Sequence, residues 1–444
     1  MNGLFKRMTK NSSNRTPETL DRLNIGWNMI GSLIYAGSSM ILTALVNHLV
    51  GAEQGGIFGF AFSTFGQQMF LAAYFGMRPI QSTDIEKRYT FGEYFRVRQI
   101  TCLWAIAFGM VYIFINTFLI RDGYSAQKAA VVLLMVFYKV LDGLADVYES
   151  EFQREGCLYL TGKAMTFRTL LSVACFLGSL ALTRNLVFSC MIAVAAQGAG
   201  ILLFDRAVLK GLERADYSRR KGKSKQLIQD SFLLFLSVFL DGLIFAMSKY
   251  AVDARMTATD TAVYVAIFMP TSVINLAANF VIRPFLTHMS YQWEAKDFTG
   301  FYGGIRKLLV IIGGLTAAAL AGAYVLGVPV LGAISNVELG PYKSGLLFII
   351  LGGGFFAVMN LFYYVLVIMK CQRRIFFGYV PVCAASFVLS FGLVEAAGIN
   401  GGALSYLLEM VLLMLCFMGQ AGYVYWREKK KENMNLSATM QFEW

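Results

Sequence analysis

The apolar residues of this chain form long runs that are separated by short polar segments. A run of about twenty apolar residues has the length that an α-helix needs to cross a bilayer. About twelve runs meet this criterion, which predicts an all-α polytopic membrane protein. The predicted spans are 23–48, 55–77, 99–119, 127–147, 164–183, 186–204, 229–251, 261–283, 306–328, 342–369, 375–397 and 402–426.

A long basic segment, DRAVLKGLERADYSRRKGKSKQ at 205–226, separates six predicted spans from six. It predicts two six-helix lobes joined by a linker. Its positive charge is most simply explained as a determinant of topology. The alternative is that it binds anionic membrane lipid. The predicted parts are a cytoplasmic N-terminal segment 1–22, an N-terminal lobe 23–204, a basic cytoplasmic linker 205–228, a C-terminal lobe 229–426 and a cytoplasmic C-terminal tail 427–444.

The two halves share a short repeat. The sequence MRPI at 77–80 and the sequence IRPF at 282–285 each end the second predicted span of their half, and a charged loop follows both. The same dipeptide at the same topological place predicts two lobes in parallel orientation, related by an axis along the membrane normal, as in some transporters.

Composition and charge placement favour the same topology. The chain is 57% hydrophobic and 15% charged, whereas a soluble protein is about one-quarter charged. The net charge of +12 does not indicate nucleic-acid binding here, because the basic residues lie between the apolar runs. With the N-terminus in the cytoplasm, most lysines and arginines fall on the inner side. We therefore predict a plasma-membrane protein with both termini cytoplasmic.

The sequence contains no recognisable catalytic or cofactor motif. Its seven cysteines lack CxxC or other metal spacing, and two histidines are too few for a histidine metal site. The patterns GxSxG, GxxxxGK[ST] and HExxH are absent. We predict no catalytic residue, metal or cofactor, and coupling to a H⁺ or Na⁺ gradient stays open.

The fourth predicted span carries an unusual stripe of charge. Lys139, Asp142, Asp146 and Glu149 fall within an arc of about 80° on a helix, and Gln153 extends it. Lipid would not tolerate this stripe, so it must face protein or a water-filled cavity. Because one lysine does not neutralise three acids, the stripe favours the wall of a polar cavity.

The alternative for this stripe is a buried ladder of ion pairs. In that interpretation Lys139 pairs with Asp142, and Asp146 pairs with Arg168 of the next predicted span. Such a ladder would hold helices together without binding a ligand.

The seventh predicted span has an acid near its middle. Asp241 is either paired across helices or titratable in a cavity, which makes it a candidate for proton or sodium coupling. Lys249 lies two turns further along and either snorkels to the outer surface or binds an anion.

The eighth predicted span has polar residues at successive i+4 positions: Thr271, Asn275, Asn279 and Arg283. Amides on one face either stabilise helix packing or line a cavity. Pro270 removes a backbone hydrogen bond in the same span and predicts a bend.

Three segments resemble one known family. LVGAEQGGIFGFAFS is similar to the start of the second helix of bacterial polysaccharide (O-unit) flippases, where lGaeeyGifgla is usual. DVYESEFQREGCLYLTGKAMTFR resembles their segment between helices four and five. SKYAVDARMTATDTAVYVAIFMPTSVINLAANFVIRPFLT resembles the seventh- and eighth-helix region of a Gram-positive branch, except that Ser248 stands where that branch commonly has proline.

The resemblance implies an architecture and a substrate. The family belongs to the multidrug/oligosaccharidyl-lipid/polysaccharide exporter superfamily, whose fold is a V-shaped, two-lobe transporter working by alternating access. The implied substrate is an oligosaccharide on an undecaprenyl pyrophosphate carrier, moved to the outer leaflet. The implied partners are this lipid-linked oligosaccharide, membrane lipids and polysaccharide assembly proteins, and the implied state is a monomer.

This substrate gives the intramembrane polar residues expected roles. A pyrophosphate–sugar head needs cations for its phosphates and hydrogen-bonding groups for its hydroxyls. The expected phosphate ligands are Lys139, Arg168, Lys249 and Arg283. The expected sugar ligands are Asp142, Asp146, Asn275 and Asn279, and the expected ion-coupling group is Asp241.

Two other functions compete with the flippase. A cation-coupled multidrug exporter of the same superfamily would favour an aromatic cavity around one or two acids, and Asp241 is compatible with it. A membrane glycosyltransferase or polymerase usually needs a sizeable outer loop, whereas the longest predicted outer loop, near 329–341, has about a dozen residues.

Overall fold

A computed structural model describes residues 17–120, 123–212 and 215–442 of the chain. The described residues are almost entirely helical and contain no strand. This confirms the prediction of an all-α polytopic membrane protein. The chain divides into two compact units, residues 1–242 and residues 243–444.

The helices of both units are long. In the first unit they are α1 (Pro17–Val50), α2 (Ala52–Phe60 and Gly66–Tyr74, continuous through a π-helical turn), α3 (Met77–Thr83), α4 (Phe91–Leu119), α5 (Ala126–Arg154), α6 (Leu158–Thr183) and α7 (Leu186–Leu212). Helix α8 (Lys223–Arg255) passes from the first unit into the second. The second unit continues with α9 (Ala258–Glu294), α10 (Phe298–Ser335), α11 (Lys343–Ile368) and α12 (Gln372–Phe442).

Ten of the twelve predicted spans lie within one of these helices. The span 55–77 runs past the end of α2 to the first residue of α3, and the span 342–369 exceeds α11 by one residue at each end. Nine helices of the described ranges are long and apolar enough to cross a membrane. Three of the twelve predicted spans have no separate counterpart among these nine helices, each for a physical reason. The pair Gln67 and Gln68 lowers the hydropathy of α2, and α5 carries too many charges. Helix α12 counts once although its backbone breaks at Ala397 and Gly398, between the last two predicted spans.

The predicted linker overlaps helix at both ends. Helix α7 continues through Asp205 to Leu212, and α8 begins at Lys223. The segment between them lies on the start of α4, because the Arg220 guanidinium donates to the Glu93 carboxylate at 2.9 Å. Glu93 also closes the capping box of α4. The segment is therefore held by the first unit at a helix N-terminus.

The division between the two units falls inside α8, beyond the predicted linker. The first half of α8 packs on α2: the Gln68 amide donates to the Phe239 carbonyl at 2.9 Å. The rings of Phe75 and Phe235 also stack with centroids 4.3 Å apart. These contacts explain why residues up to Gly242 group with the first unit.

Helices α1 and α6 approach each other through glycines. A Cβ on Gly162 would lie 2.1 Å from the Trp27 carbonyl oxygen, and one on Gly31 would lie 2.7 Å from the Gly162 oxygen. Small residues allow this close backbone approach between membrane helices, where packing and not water exclusion drives association.

We expect Gly162→Ala to push α1 away from α6 and to lower the free energy of unfolding by about 1–3 kcal/mol, the usual range for overpacking. Thermal unfolding of the detergent-purified protein measures the loss. Gly178→Ala is the matched control, because the added methyl on the same helix meets no atom within 4 Å. Equal unfolding temperatures for the two variants would contradict the close α1–α6 contact.

Candidate functional site

The charged stripe of α5 faces the interior of the first unit. Lys139, Asp142, Asp146 and Glu149 are each at most 5% exposed. Helix α5 packs against α2, α4, α6 and α7, so its polar face meets other helices. The sequence-based inference that the stripe avoids lipid agrees with this placement.

Arg168 of α6 holds three carboxylates. One terminal nitrogen donates to Asp205 at 2.8 Å. The other donates to Glu149 at 2.8 Å and lies 3.4 Å from Asp142. An arginine can do this because its planar guanidinium presents several donors in a fixed fork. Arg168 thereby links α5, α6 and α7.

Asp146 is held by two other arginines. Arg98 of α4 donates to one carboxylate oxygen at 2.7 Å, and Arg78 of α3 donates to the other at 2.8 Å. Arg98 also donates to the Ala73 carbonyl at the end of α2. Arg78 reaches Glu149 at 3.3 Å as well. Asp146 therefore ties α3 and α4 to α5.

Lys139 and Asp142 are connected through a phenol. The Tyr35 hydroxyl of α1 donates to Asp142 at 2.6 Å, and the Lys139 ammonium donates to the same hydroxyl at 3.2 Å. The ammonium also lies 4.2 Å from the centre of the Phe62 ring. The Gln197 amide donates to Asp142 at 3.1 Å. Both charged groups thus have partners within the first unit.

These contacts form one group of eight residues that we call the α5 charge cluster. Its acids balance its bases one for one. The acids are Asp142, Asp146, Glu149 and Asp205, and the bases are Arg78, Arg98, Lys139 and Arg168. The excess of acids over lysine on α5 is therefore neutralised by arginines of neighbouring elements, which the inference of a polar cavity wall left out.

The pairing within the cluster also differs from the expected ladder. Asp146 pairs with Arg78 and Arg98, not with Arg168, and Lys139 reaches Asp142 through Tyr35. Sequence reasoning missed these arginines. Arg78 had a signal, since it belongs to the repeated Arg-Pro dipeptide. Arg98 had no such signal, because it stood just outside the predicted third span.

In the second unit, Lys249 lies among aromatic rings. Its ammonium is 3.8 Å from the centre of the Phe268 ring and 5.3 Å from that of Phe245. The residue is 8% exposed. Within the described ranges, no carboxylate lies within ion-pair distance of it. Cation–π contact contributes about 2 kcal/mol when desolvated, which is less than burial of a charge costs.

Amides of α9 and α11 form a hydrogen-bonded ladder. The Asn279 amide donates to the side-chain oxygen of Asn275 at 3.0 Å. The Asn360 amide donates to the same oxygen at 3.2 Å, and the Tyr364 hydroxyl donates to Asn279 at 3.4 Å. Both Asn275 and Asn279 remain half-buried. The ladder joins two helices and leaves part of each amide accessible.

The remaining predicted polar residues are separate from this ladder. Arg283 is exposed and has no ion pair with any residue that the structure describes. Asp241 is half-buried in α8. Glu409 of α12 is fully buried and accepts a hydrogen bond from the Ser390 hydroxyl within its own unit. No group of three metal-binding side chains occurs among the described residues.

Known structures share this fold. The lipid II flippase MurJ in an inward closed conformation matches with a TM-score of 0.65 and 12% identity, over 96% of this chain and 93% of that one. The bent form of the Vibrio cholerae transporter VcmN matches with a TM-score of 0.55 and 15% identity, over 94% and 98%. By sequence, no family model and no curated protein matches the chain.

An inward-facing multidrug resistance transporter of the MOP superfamily also matches, with a TM-score of 0.56 and 12% identity over 96% of this chain and 99% of that one. At these identities the likeness concerns the fold. The chain is therefore a multi-pass membrane protein with the fold of MOP-superfamily transporters.

We expect Arg168→Gln to lower the free energy of unfolding by about 3–5 kcal/mol, because it leaves buried carboxylates without their base. Adding Asp205→Asn should recover part of this loss, since one unpaired buried charge is then removed. Thermal unfolding of the single and double variants forms a double-mutant cycle. Additive losses in that cycle would contradict the Arg168–Asp205 pair.

Proposed function

We propose that the protein is a transporter and not an enzyme. We further propose that it moves an oligosaccharide, linked to undecaprenyl pyrophosphate, from the cytoplasmic to the outer leaflet. The resemblance to polysaccharide flippases names this substrate. The fold supports transport, and the similarity to MurJ, a lipid II flippase, is compatible with a lipid-linked substrate.

The observation that carries the proposal is the charge in the second unit. Lys249 is buried without a carboxylate partner among the described residues, and Arg283 is exposed on the next helix. A cation without an acid in a spanning helix is costly unless an anion binds it. A pyrophosphate supplies that anion, whereas a cationic drug would be repelled.

We propose different roles for the residues of the two units. Asp142, Asp146 and Arg168 already bind protein groups, so their main role is to hold helices. The half-buried amides of Asn275 and Asn279 keep capacity for sugar hydroxyls. Substrate contact is therefore expected mainly from Lys249, Arg283 and these amides, and Lys139, which also has partners in the first unit, is expected to hold helices. Asp241 stays the proposed group for H⁺ or Na⁺ coupling.

A second candidate function is cation-coupled multidrug export. It is favoured by the fold shared with a multidrug resistance transporter and by the half-buried acid Asp241. Efflux of a cationic dye from cells that express the protein separates the candidates. We expect no dye efflux above that of cells without the gene.

We expect Lys249→Gln to reduce export of surface polysaccharide about tenfold or more, because one charged contact to phosphate is worth about 1.5–3 kcal/mol. Lys249→Arg, which keeps the charge, should retain part of the activity. The measurement is the polysaccharide recovered from cells whose own copy is deleted, with equal amounts of each variant in the membrane.

The control for this experiment is Arg255→Gln on the same helix. Arg255 is exposed and pairs with Glu395 at 3.5 Å, so its loss should leave export unchanged. Normal export by Lys249→Gln would show that Lys249 does not bind the substrate, and it would contradict the proposed recognition of phosphate.

We also propose that both termini are cytoplasmic, because basic residues concentrate on the predicted inner side. A fluorescent protein fused to the C-terminus should then fold and fluoresce, and alkaline phosphatase fused there should be inactive. Phosphatase fused after Asn336, in the loop between α10 and α11, should be active. The reverse pattern of phosphatase activity would contradict the proposed topology and place the C-terminus on the outer side.

A further inference from the structure

Arg78 differs from the other bases of the α5 charge cluster in its access to the surface. Its side chain is 28% exposed, whereas those of Arg98 and Arg168 are at most 2% exposed. Lys139 is 2% exposed as well. Arg78 is thus the base of the cluster that a ligand can reach without opening the helix packing.

Arg78 is also the base whose departure leaves no acid alone. Its two carboxylate partners are Asp146 and Glu149. Asp146 keeps Arg98 at 2.7 Å, and Glu149 keeps Arg168 at 2.8 Å. By contrast, the described partner of Asp205 is Arg168. The free-energy cost of moving Arg78 is therefore smaller than that of moving Arg168.

Two of the three side-chain hydrogen bonds that Arg78 donates are long. Its contact with Asp146 is short, at 2.8 Å, but those with Glu149 and Gln153 are 3.3 Å and 3.5 Å long. A guanidinium prefers a bidentate acceptor with two near-parallel short hydrogen bonds. Glu149 and Gln153 together do not supply this geometry, whereas a phosphate group does.

Helix α3 stays in place without Arg78. The Gln81 amide donates to the Glu151 carboxylate at 2.9 Å and to the Val147 carbonyl at 3.1 Å, so a second contact attaches α3 to α5. The helix starts after two residues with left-handed backbone, Phe75 and Gly76, which separate it from α2. The Arg78 side chain can therefore turn while its backbone remains fixed.

We propose that Arg78 is an exchangeable member of the α5 charge cluster. It releases Glu149 and Gln153 and binds the pyrophosphate group of the lipid-linked substrate, while Arg98 and Arg168 keep the acids paired. This inference rests on the proposed function. It also assigns the arginines two tasks: Arg98 and Arg168 hold helices, and Arg78 responds to substrate.

The test uses the full-length protein purified in detergent, with farnesyl pyrophosphate as the probe and farnesol as the lipid-only comparison. We expect the wild type to bind farnesyl pyrophosphate and to bind farnesol much more weakly. Arg78→Gln should weaken binding of farnesyl pyrophosphate about tenfold or more. Arg78→Lys should fall between the two, because it restores charge without the fork.

Lys87→Gln is the matched control. It removes the same charge from an exposed residue just after α3, whose partner is Glu155 at 2.6 Å. Its affinity should stay within about twofold of the wild type. If Arg78→Gln binds as tightly as Lys87→Gln does, the exchange is wrong and the proposed function stands. If the wild type does not bind farnesyl pyrophosphate, both the exchange of Arg78 and the proposed function are wrong.

Unfolding temperatures separate exchange from a structural role. We expect Arg78→Gln to unfold within about 3 °C of the wild type, since each acid retains a base. Arg168→Gln should unfold far lower. If Arg78→Gln unfolds or fails to accumulate as Arg168→Gln does, Arg78 is a structural residue and the exchange is overturned.

Discussion

The first unit depends on one constraint, which is that ionised groups inside a membrane protein must be paired. Helix α5 contributes three carboxylates and a lysine to the α5 charge cluster. These charges are stable there only because arginines arrive from α3, α4 and α6. The helix that is least suited to lipid thereby becomes the centre on which its neighbours pack.

The two units reach cohesion by different chemistry. The first unit uses ion pairs around α5. The second joins α9 and α11 through neutral amides, from Asn275, Asn279 and Asn360. Burying a neutral amide costs less free energy than burying a charge. Because amides carry no charge, they do not neutralise a buried base such as Lys249. The proposed substrate, with an anionic head and neutral hydroxyls, is expected to find its complementary groups in the second unit.

The sequence was sufficient for features that depend on length and hydropathy. Ten of the twelve spans fall within single helices and the other two overrun theirs by one to three residues. The burial of the α5 stripe followed from the cost of charge in lipid. Of the arginines that pair with the stripe, the sequence pointed only to Arg168, and to Asp146 as its partner where the structure has Asp142 and Glu149. Arg78 and Arg98 could not be predicted as partners, because α3 and α4 reach α5 only through tertiary packing. Asp205 is a second example. Because it directly follows an apolar run, the sequence placed it in the linker, whereas the structure places it inside α7.

The order of the cluster along the chain has a consequence for biogenesis. Three acids and a lysine on α5 each disfavour insertion by about 3 kcal/mol when the helix is alone in lipid. Arg78 and Arg98 precede α5 during synthesis, but Arg168 and Asp205 follow it. The α5 charge cluster can therefore close only after α6 and α7 have been synthesised.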